Sequence, residues 1–309
     1  MKVLITGGTG TVGTAFLEKY GQDHECAVIS RNEKMQYELK KKFPRVETFL
    51  ASVEDKEAIY CIYDKFRPDT VVHAAAIKHV DVAEKQPIQT TLVNIVGSLN
   101  IINAGIEFNV PVTVAVSTDK ACEHQHVYGI TKYLMEQCFL EANGERNRFA
   151  VCRFGNVAHS NGSVIPFWLK QKAENKPIKL TSPDMNRLMF LPSDAAALIG
   201  KSIEMCKTKG GFILSKKMKN VNMFKLANMI SKTVEIVGAR PGEKFDEDLV
   251  SLKELPYSKV IDNDYVIIEK EENKDLSSRL PEAYNTKTAL HMNEKELWLL
   301  INNKETHYV

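Results

Sequence analysis

The fold of this chain is decided by the stretch Val3-Leu-Ile-Thr-Gly-Gly-Thr-Gly-Thr-Val-Gly13, an apolar run that leads directly into a glycine-rich turn. Glycine permits a tight turn and close approach of the backbone to a pyrophosphate, and the helix that follows offers unpaired N–H groups to an anion. The GxxGxxG spacing is a weak signal alone, but its place at the first strand-to-helix turn is typical of a dinucleotide-binding Rossmann fold. We therefore expect dinucleotide contacts from Gly7, Thr9, Gly10, Thr11, Val12 and Gly13.

Short apolar runs alternate with longer amphipathic ones over the first half of the chain. Strands are predicted at 2–5, 26–29, 47–50, 70–73, 112–117 and 149–153. Helices are predicted at 12–20, 33–42, 55–65, 88–108 and 127–143. This alternation predicts an α/β fold with a doubly wound parallel sheet and helices on both faces.

The pattern changes after about residue 160, where turn-forming residues cluster at 161–163 and 181–184. We predict a Rossmann domain over 1–160, which a helix near 193–206 and a strand near 211–215 rejoin, so that about 190–216 belongs to it. A smaller C-terminal α/β substrate-binding domain is expected from 161–189 and 217–309. It would contain a helix near 221–234, a solvated loop at 269–275 and a terminal helix at 294–301.

Composition restricts the classes of partner. The formal net charge of +2 over 309 residues gives no reason to expect nucleic acid or an anionic membrane surface. The six cysteines form no CxxC pair, which favours a reducing, cytoplasmic compartment. The chain begins directly with a strand, and no apolar stretch reaches 18 residues, so neither a signal peptide nor a membrane span is expected. His124 and His126 lack further ligands at a suitable spacing, so no metal site is predicted.

The end of the second strand bears on the choice of dinucleotide. Arg31 follows Ser30 where an acidic residue would accept the ribose hydroxyls of NAD. A guanidinium favours the 2′-phosphate instead, so we predict NADP, with NAD as the less favoured cofactor. An ordinary surface arginine is the competing interpretation.

The polar residues at the end of the fifth strand are candidates for catalysis. Ser117-Thr118-Asp119-Lys120 follows that strand, and Tyr128 and Lys132 stand four residues apart on the next helix, where they share one face. A tyrosine has an ordinary pKa of about 10, and a neighbouring ammonium would lower that pKa. We therefore expect Lys132 to assist Tyr128. An exposed helix face and a structural Asp119–Lys120 ion pair are the alternatives.

The glycine turn, Tyr128 and Lys132 together resemble an extended short-chain dehydrogenase/reductase. The resemblance narrows to the inverting UDP-N-acetylglucosamine 4,6-dehydratases, which begin bacterial pseudaminic acid and related deoxy-aminosugar pathways. It covers about residues 1–250, and the Asp119-Lys120 pair is its most specific mark. The motifs that carry it are HAAAIKHV (73–80), STDKA (117–121), RFGNV (153–157), GSVIP (162–166) and RPGEK (240–244).

The resemblance implies a mechanism. Tyr128, assisted by Thr118, would take the proton from the sugar O4 as C4 is oxidised, while Lys132 would hold the nicotinamide ribose. Lys120 would then remove the C5 proton, and Asp119 would protonate the departing O6. Hydride would return to C6, C5 would be inverted, and NADP would end as it began. We expect Asp119 and Lys120 to titrate as a coupled pair.

The resemblance also implies binding residues. Further cofactor contacts are expected from Ser30, Arg31, Ser52, Val53, Ala74, Ala75, Ala76, Lys78 and Asn94. The UDP-sugar is expected to bind Lys78, Asn156, Ser163, Val164, Pro166, Thr181, Arg187, Arg240 and Glu243. Relatives are often oligomeric, so a homo-oligomer is expected.

Two departures from the family pattern are visible. Ala51-Ser52-Val53 lacks the usual acidic residue near adenine, and Glu123–His126 stands where Asn-Pro is usual. A UDP-sugar 4-epimerase or 4-ketoreductase of the same fold is the first alternative function, although epimerisation needs no C5 base such as Lys120. A non-catalytic, NADP-binding regulatory protein is the second.

Overall fold

The computed structural model describes residues 1–238 and 244–303. The strands are β1 (Lys2–Thr6), β2 (Glu25–Ser30), β3 (Glu47–Leu50), β4 (Thr70–His73), β5 (Val112–Thr118), β6 (Arg148–Phe154), β7 (Asn156–Val157), β8 (Ile178–Leu180), β9 (Asn186–Phe190), β10 (Phe212–Lys216), β11 (Lys219–Asn222), β12 (Val234–Ile236), β13 (Asp248–Val250), β14 (Ser258–Ile261), β15 (Tyr265–Glu269) and β16 (Tyr284–Asn285).

The α-helices follow the same order along the chain. They are α1 (Thr11–Tyr20), α2 (Glu33–Lys42), α3 (Lys56–Phe66), α4 (Val80–Lys85), α5 (Pro87–Thr91), α6 (Gly97–Glu107), α7 (Val127–Ala142), α8 (Val164–Ala173), α9 (Pro192–Cys206), α10 (Met223–Ile230) and α11 (Glu294–Asn302). In the described ranges, no helix combines the length and the apolar character needed to cross a membrane.

The large sheet confirms the predicted doubly wound α/β fold. Seven of its strands run parallel in the order β10-β6-β5-β4-β1-β2-β3. The strand order reverses between β1 and β4, and such a switch point opens a crevice at the carboxyl ends of the strands. The glycine turn after β1 and the residues after β4 therefore meet at one edge of the sheet.

Two predicted helices differ from the observed ones. The single helix expected over 88–108 is α5 and α6 joined by one turn of π-helix at Leu92–Val96. The helix expected over 221–234 is shorter, because Asn222 ends β11 and caps α10 by accepting the Lys225 N–H at 2.9 Å. Asn favours such a cap over a helix interior. The remaining chain then forms β12.

Part of the C-terminal segment joins the large sheet, and another part packs in a separate apolar cluster. β15 pairs antiparallel with β10 and β14 with β15, so residues 258–269 extend the large sheet although the sequence assigned them to the substrate domain. A separate apolar cluster brings together Trp168 of α8, Leu226 of α10 and Leu297 of α11. The division into two domains therefore stays a prediction for the rest of this segment.

Packing explains the glycines of the first turn. Gly7 has φ +66°, a left-handed conformation, and a Cβ there would lie 2.8 Å from the Ala75 nitrogen. A Cβ at Gly13 would overlap the backbone of Gly8. Without side chains, α1 begins directly against the turn, so its first N–H groups face the crevice.

We predict that Gly13→Ala lowers the free energy of unfolding by about 1–3 kcal/mol, because a methyl group there overlaps backbone that cannot move aside. The matched control is Gly144→Ala, whose added Cβ has no neighbour closer than 3.9 Å. Urea unfolding of both variants measures the difference. Equal stability of the two variants would contradict the packing argument.

Candidate active site

A cleft of about 790 Å³ lies at the carboxyl ends of the parallel strands. Its size is in the range of ligand and cofactor sites. Most of the predicted residues line it, and the cofactor and catalytic sets share one continuous surface. Those residues are Gly7, Thr9, Gly10, Thr11, Val12, Gly13, Ser30, Arg31, Val53, Ala74, Ala75, Ala76, Lys78, Thr118, Asp119, Lys120, Tyr128, Lys132, Asn156, Ser163 and Val164.

Other predicted binding residues lie elsewhere. The cleft lining does not include Ser52, Asn94, Pro166, Thr181 or Arg187. Arg187 is 8% exposed and donates to the carbonyl oxygens of Asn186 at 2.7 Å and Phe245 at 3.3 Å. Its predicted contact with the diphosphate stays a prediction, as do those of Ser52, Pro166 and Thr181. Arg240 and Glu243 lie outside the described residues.

Lys120 lies between two carboxylates. Its Nζ is 3.1 Å from Asp119 Oδ1 and 3.3 Å from Glu247 Oε1, and both acidic side chains are almost completely buried. Burial lowers the pKa of Lys120, but the attraction of Asp119 and Glu247 outweighs burial, and this pKa is raised above its ordinary value. Lys120 is therefore an ammonium at neutral pH, and it has to lose a proton before it can act as a base.

Tyr128 lies beside this group. Its hydroxyl shares a hydrogen bond with Thr118, and the Thr118 hydroxyl also donates to Asp119 Oδ1 at 2.9 Å. Burial raises the pKa of Tyr128 to about 12, opposed by the charge of Lys120. Lys120 is the ammonium that opposes burial at this phenol, and the expectation that Lys132 assists Tyr128 stays a prediction.

Lys132 is fully enclosed at the base of the cleft. Its Nζ lies 3.0 Å from the sulfur of Met135, and burial lowers its pKa to about 8 despite the attraction of Glu136. A thioether is a weak acceptor. The amine therefore retains donor capacity for a ligand in the cleft.

The Asn94 side chain holds the backbone of Ile77. It lies in the π-helical turn, and its side chain accepts the Ile77 N–H at 2.8 Å and donates to the Ile77 carbonyl at 3.1 Å. Its amide also donates to Thr131 on α7 at 3.1 Å. Asn94 thus fixes the segment after β4 against the helix that carries Tyr128 and Lys132.

A loop from the C-terminal part closes over the glycine turn. The Asn161 carbonyl accepts from Lys78 Nζ at 2.7 Å, and the Asn161 N–H donates to Thr11 Oγ1 at 3.2 Å. At its other end, His159 Nε2 lies 2.7 Å from the Leu300 carbonyl of α11. This loop therefore joins both sides of the crevice.

Arg153, Glu136 and Glu254 form a buried ion cluster next to the site. The guanidinium of Arg153 pairs with both oxygens of Glu136, at 2.9 and 2.7 Å, and with Glu254 at 2.8 Å. Arg153 and Glu136 have no exposed side-chain surface. Arg153 also donates to the Leu249 carbonyl at 3.1 Å, which ties β6, α7 and β13 together.

The cleft has features that fit a dinucleotide. The glycine turn packs closely against the segment after β4, where a Cβ at Gly7 would collide with Ala75, and the first N–H groups of α1 face the cleft beside it. Asn156 Oδ1 and Ser163 Oγ are buried at the cleft with no hydrogen-bond partner among the described residues. Buried polar atoms are rarely left unpaired in native proteins, so both are available to ligands.

Sequence reasoning missed Glu247 and the ion cluster. Glu247 lies in the acidic run Asp246–Asp248, a pattern usual for solvated surface, yet it is 5% exposed. A signal for Glu136 was available, because Tyr128, Lys132 and Glu136 repeat at i, i+4 and i+8 along one helix face.

Comparisons with known proteins show what this chain is similar to. The sequence profile of the polysaccharide biosynthesis protein family matches residues 3–269. A Campylobacter jejuni UDP-N-acetylglucosamine 4,6-dehydratase (inverting) is 32% identical and covers 98% of each chain. A Rickettsia bellii UDP-glucose 4-epimerase is 30% identical over 86% of this chain and 82% of its own. The crystal structure of Pen from Bacillus thuringiensis superposes with a TM-score of 0.89 at 29% identity, covering 98% and 97% of the two chains.

Glu136→Gln should lower the free energy of unfolding by about 3 kcal/mol, because it leaves a buried guanidinium short of one counter-charge. Glu204→Gln is the matched control, since Glu204 pairs with Lys207 on the exposed surface and such pairs contribute about 1 kcal/mol or less. Thermal and urea unfolding of both variants provide the test. The role of the cluster is refuted if Glu136→Gln costs no more than the control.

Proposed function

We propose a function on the premise that this chain belongs to the polysaccharide biosynthesis protein family. The proposed function is that of an NADP-dependent, C5-inverting nucleotide-sugar 4,6-dehydratase. This lyase would convert UDP-N-acetylglucosamine to a UDP-4-keto-6-deoxy-hexosamine. One observation carries this proposal: Thr118, Asp119, Lys120 and Tyr128 lie together in a cleft that continues into the dinucleotide turn. The similarity to the Campylobacter jejuni dehydratase supports the same reaction class.

Each of the four residues has its own role in the proposed reaction. Tyr128 and Thr118 bind the sugar O4, and Tyr128 takes its proton in the phenolate form, which the charge of Lys120 favours against burial. A dinucleotide held by the glycine turn and Lys132 would supply the hydride-transfer chemistry that oxidation at C4 and reduction at C6 require. The C4 ketone makes the C5 proton acidic, and Lys120 removes it. Asp119 protonates the departing O6 hydroxyl, so water leaves.

Binding of both ligands follows from the lining of the cleft. The glycine turn and Lys132 hold the dinucleotide, and Arg31 is assigned to its 2′-phosphate. Arg31 is exposed, and it makes no ion pair with any residue that the structure describes. Asn156 and Ser163 offer their unpaired oxygens to the UDP-sugar.

A UDP-sugar 4-epimerase is the second candidate, favoured by the similarity to the Rickettsia bellii epimerase. Epimerisation at C4 needs the tyrosine and the cofactor but no acid–base pair at C5 and C6. The Asp119–Lys120 pair therefore favours the dehydratase. A 4-ketoreductase and a non-catalytic NADP-binding regulator are further outcomes of the test below.

The deciding experiment incubates purified protein with NADP and UDP-N-acetylglucosamine and follows the sugar by NMR. We expect a 4-keto-6-deoxy product with inverted C5. Release of the C4 epimer would support the epimerase, and tight cofactor binding without turnover of the sugar would support the regulator. Either result would overturn the proposed function.

Lys120→Ala should abolish the incorporation of solvent deuterium at C5, because Lys120 is the amine that pairs with Asp119 in the part of the chain that the structure describes. NMR of the product in deuterated water measures this incorporation. Lys172→Ala, on the exposed surface of α8, is the control and should behave as the wild type. Incorporation at the wild-type level in Lys120→Ala would remove Lys120 from the role of base.

Arg31→Ala should weaken NADP binding by about tenfold or more, because a charge-assisted hydrogen bond contributes about 1.5–3 kcal/mol. NAD binding should change by no more than about threefold on the same reasoning, since NAD lacks the phosphate. Fluorescence titrations with both dinucleotides measure this, and Lys34→Ala on the exposed face of α2 controls for net charge. Equal losses for NAD and NADP would contradict a phosphate contact.

A further inference from the structure

Glu247 is a buried carboxylate to which the mechanism above gives no role. It lies behind Lys120, at 3.3 Å from Nζ, with 7% of its side chain exposed. It is not part of the cleft lining, whereas Lys120 and Asp119 are. Glu247 can therefore act on the sugar only through Lys120.

The position of Glu247 is fixed independently of Lys120. Its N–H donates to Thr286 Oγ1 at 3.2 Å, and its carbonyl accepts the Thr286 N–H at 3.1 Å. Two residues later, the Leu249 carbonyl accepts from the buried Arg153. The backbone that carries the Glu247 side chain is thus held by hydrogen bonds that do not involve Lys120.

We propose that Glu247 is a positioning residue that decides the stereochemical outcome at C5, by holding Lys120 as an ammonium once it has taken the C5 proton. This inference rests on the proposed dehydratase function. A stabilised ammonium is a weak acid, so it does not return its proton to the face of the sugar from which the proton came. C5 then receives its new proton from solvent on the opposite face, which gives inversion.

The proton balance follows from the two carboxylates. Lys120 first passes a proton to Asp119 Oδ1, 3.1 Å away, which yields the neutral amine and the carboxylic acid that the elimination needs. The C5–H bond then breaks and an N–H bond forms on Lys120, while the C5 electron pair forms the C5=C6 bond. Asp119 gives its proton to O6, and water leaves. Lys120 is again an ammonium between Asp119 and Glu247.

The charges that face Lys120 determine how firmly it keeps this proton. Asp119 and Glu247 raise the pKa of Lys120, whereas Arg187 lowers it. The charge of Lys120 in turn acts on the buried phenol of Tyr128. Among the described residues, loss of Glu247 leaves the carboxylate of Asp119 to oppose Arg187 and burial at Lys120. The ammonium formed during the reaction then becomes a stronger acid and can protonate C5 on its own face.

The test is the ratio of retained to inverted product at C5, read by NMR from the 4-keto-6-deoxy sugar. In Glu247→Gln we expect this ratio to rise at least about tenfold, the effect of one pKa unit. Glu247→Asp keeps the negative charge, but its shorter side chain places the carboxylate farther from Lys120. Its product ratio should therefore lie between those of the wild type and Glu247→Gln. Damage to the fold alone would slow turnover without changing the ratio.

Glu123→Gln is the matched control, because it removes a carboxylate that is 53% exposed and pairs with Lys244 rather than with Lys120. Its product ratio should equal that of the wild type. If Glu247→Gln folds and its product ratio equals that of the wild type, the proposed role of Glu247 is overturned. If Glu247→Gln does not fold, a wild-type product ratio in Glu247→Asp overturns that role instead. Absence of an inverted product from the wild-type protein instead overturns the proposed function itself.

Discussion

The buried ion pair of Arg153 and Glu136 is the interaction on which the site depends. Removing two charges from water is costly, so such a pair is tolerated only when its geometry is complete. Here the guanidinium is paired on two sides and also donates to the Leu249 carbonyl. Because Tyr128, Lys132 and Glu136 share one helix face, anchoring Glu136 fixes the rotation of α7 and hence the direction of the Tyr128 and Lys132 side chains.

The same anchor joins the catalytic strand ends to the C-terminal part of the chain. Through the Leu249 carbonyl, Arg153 holds β13, and β13 follows Glu247 directly. A structural ion cluster and a reactive one thus share a short strand. In the first, a permanently charged guanidinium is enclosed between carboxylates, whereas in the second a lysine lies between Asp119 and Glu247.

Small polar contacts join the two halves of the crevice. Asn161 bonds Lys78 on one side and Thr11 on the other, and Asn94 fixes Ile77 to α7. Hydrogen bonds of this kind each contribute only about 0.5–1.5 kcal/mol. They set the shape of the cleft without adding much stability, which suits a site that has to admit and release its ligands.

The sequence alone determined the fold class, the glycine turn and the placement of Tyr128 and Lys132 on one helix face, because each depends on a local period that neighbouring residues impose. It also placed Asp119 and Lys120 at a strand end. Tertiary structure decided what those side chains experience. Glu247 is distant in sequence from Lys120, and only chain folding brings its charge within 3.3 Å. The pKa of Lys120 is therefore a property of the folded chain, since charge attraction and burial depend on distances that no sequence motif contains.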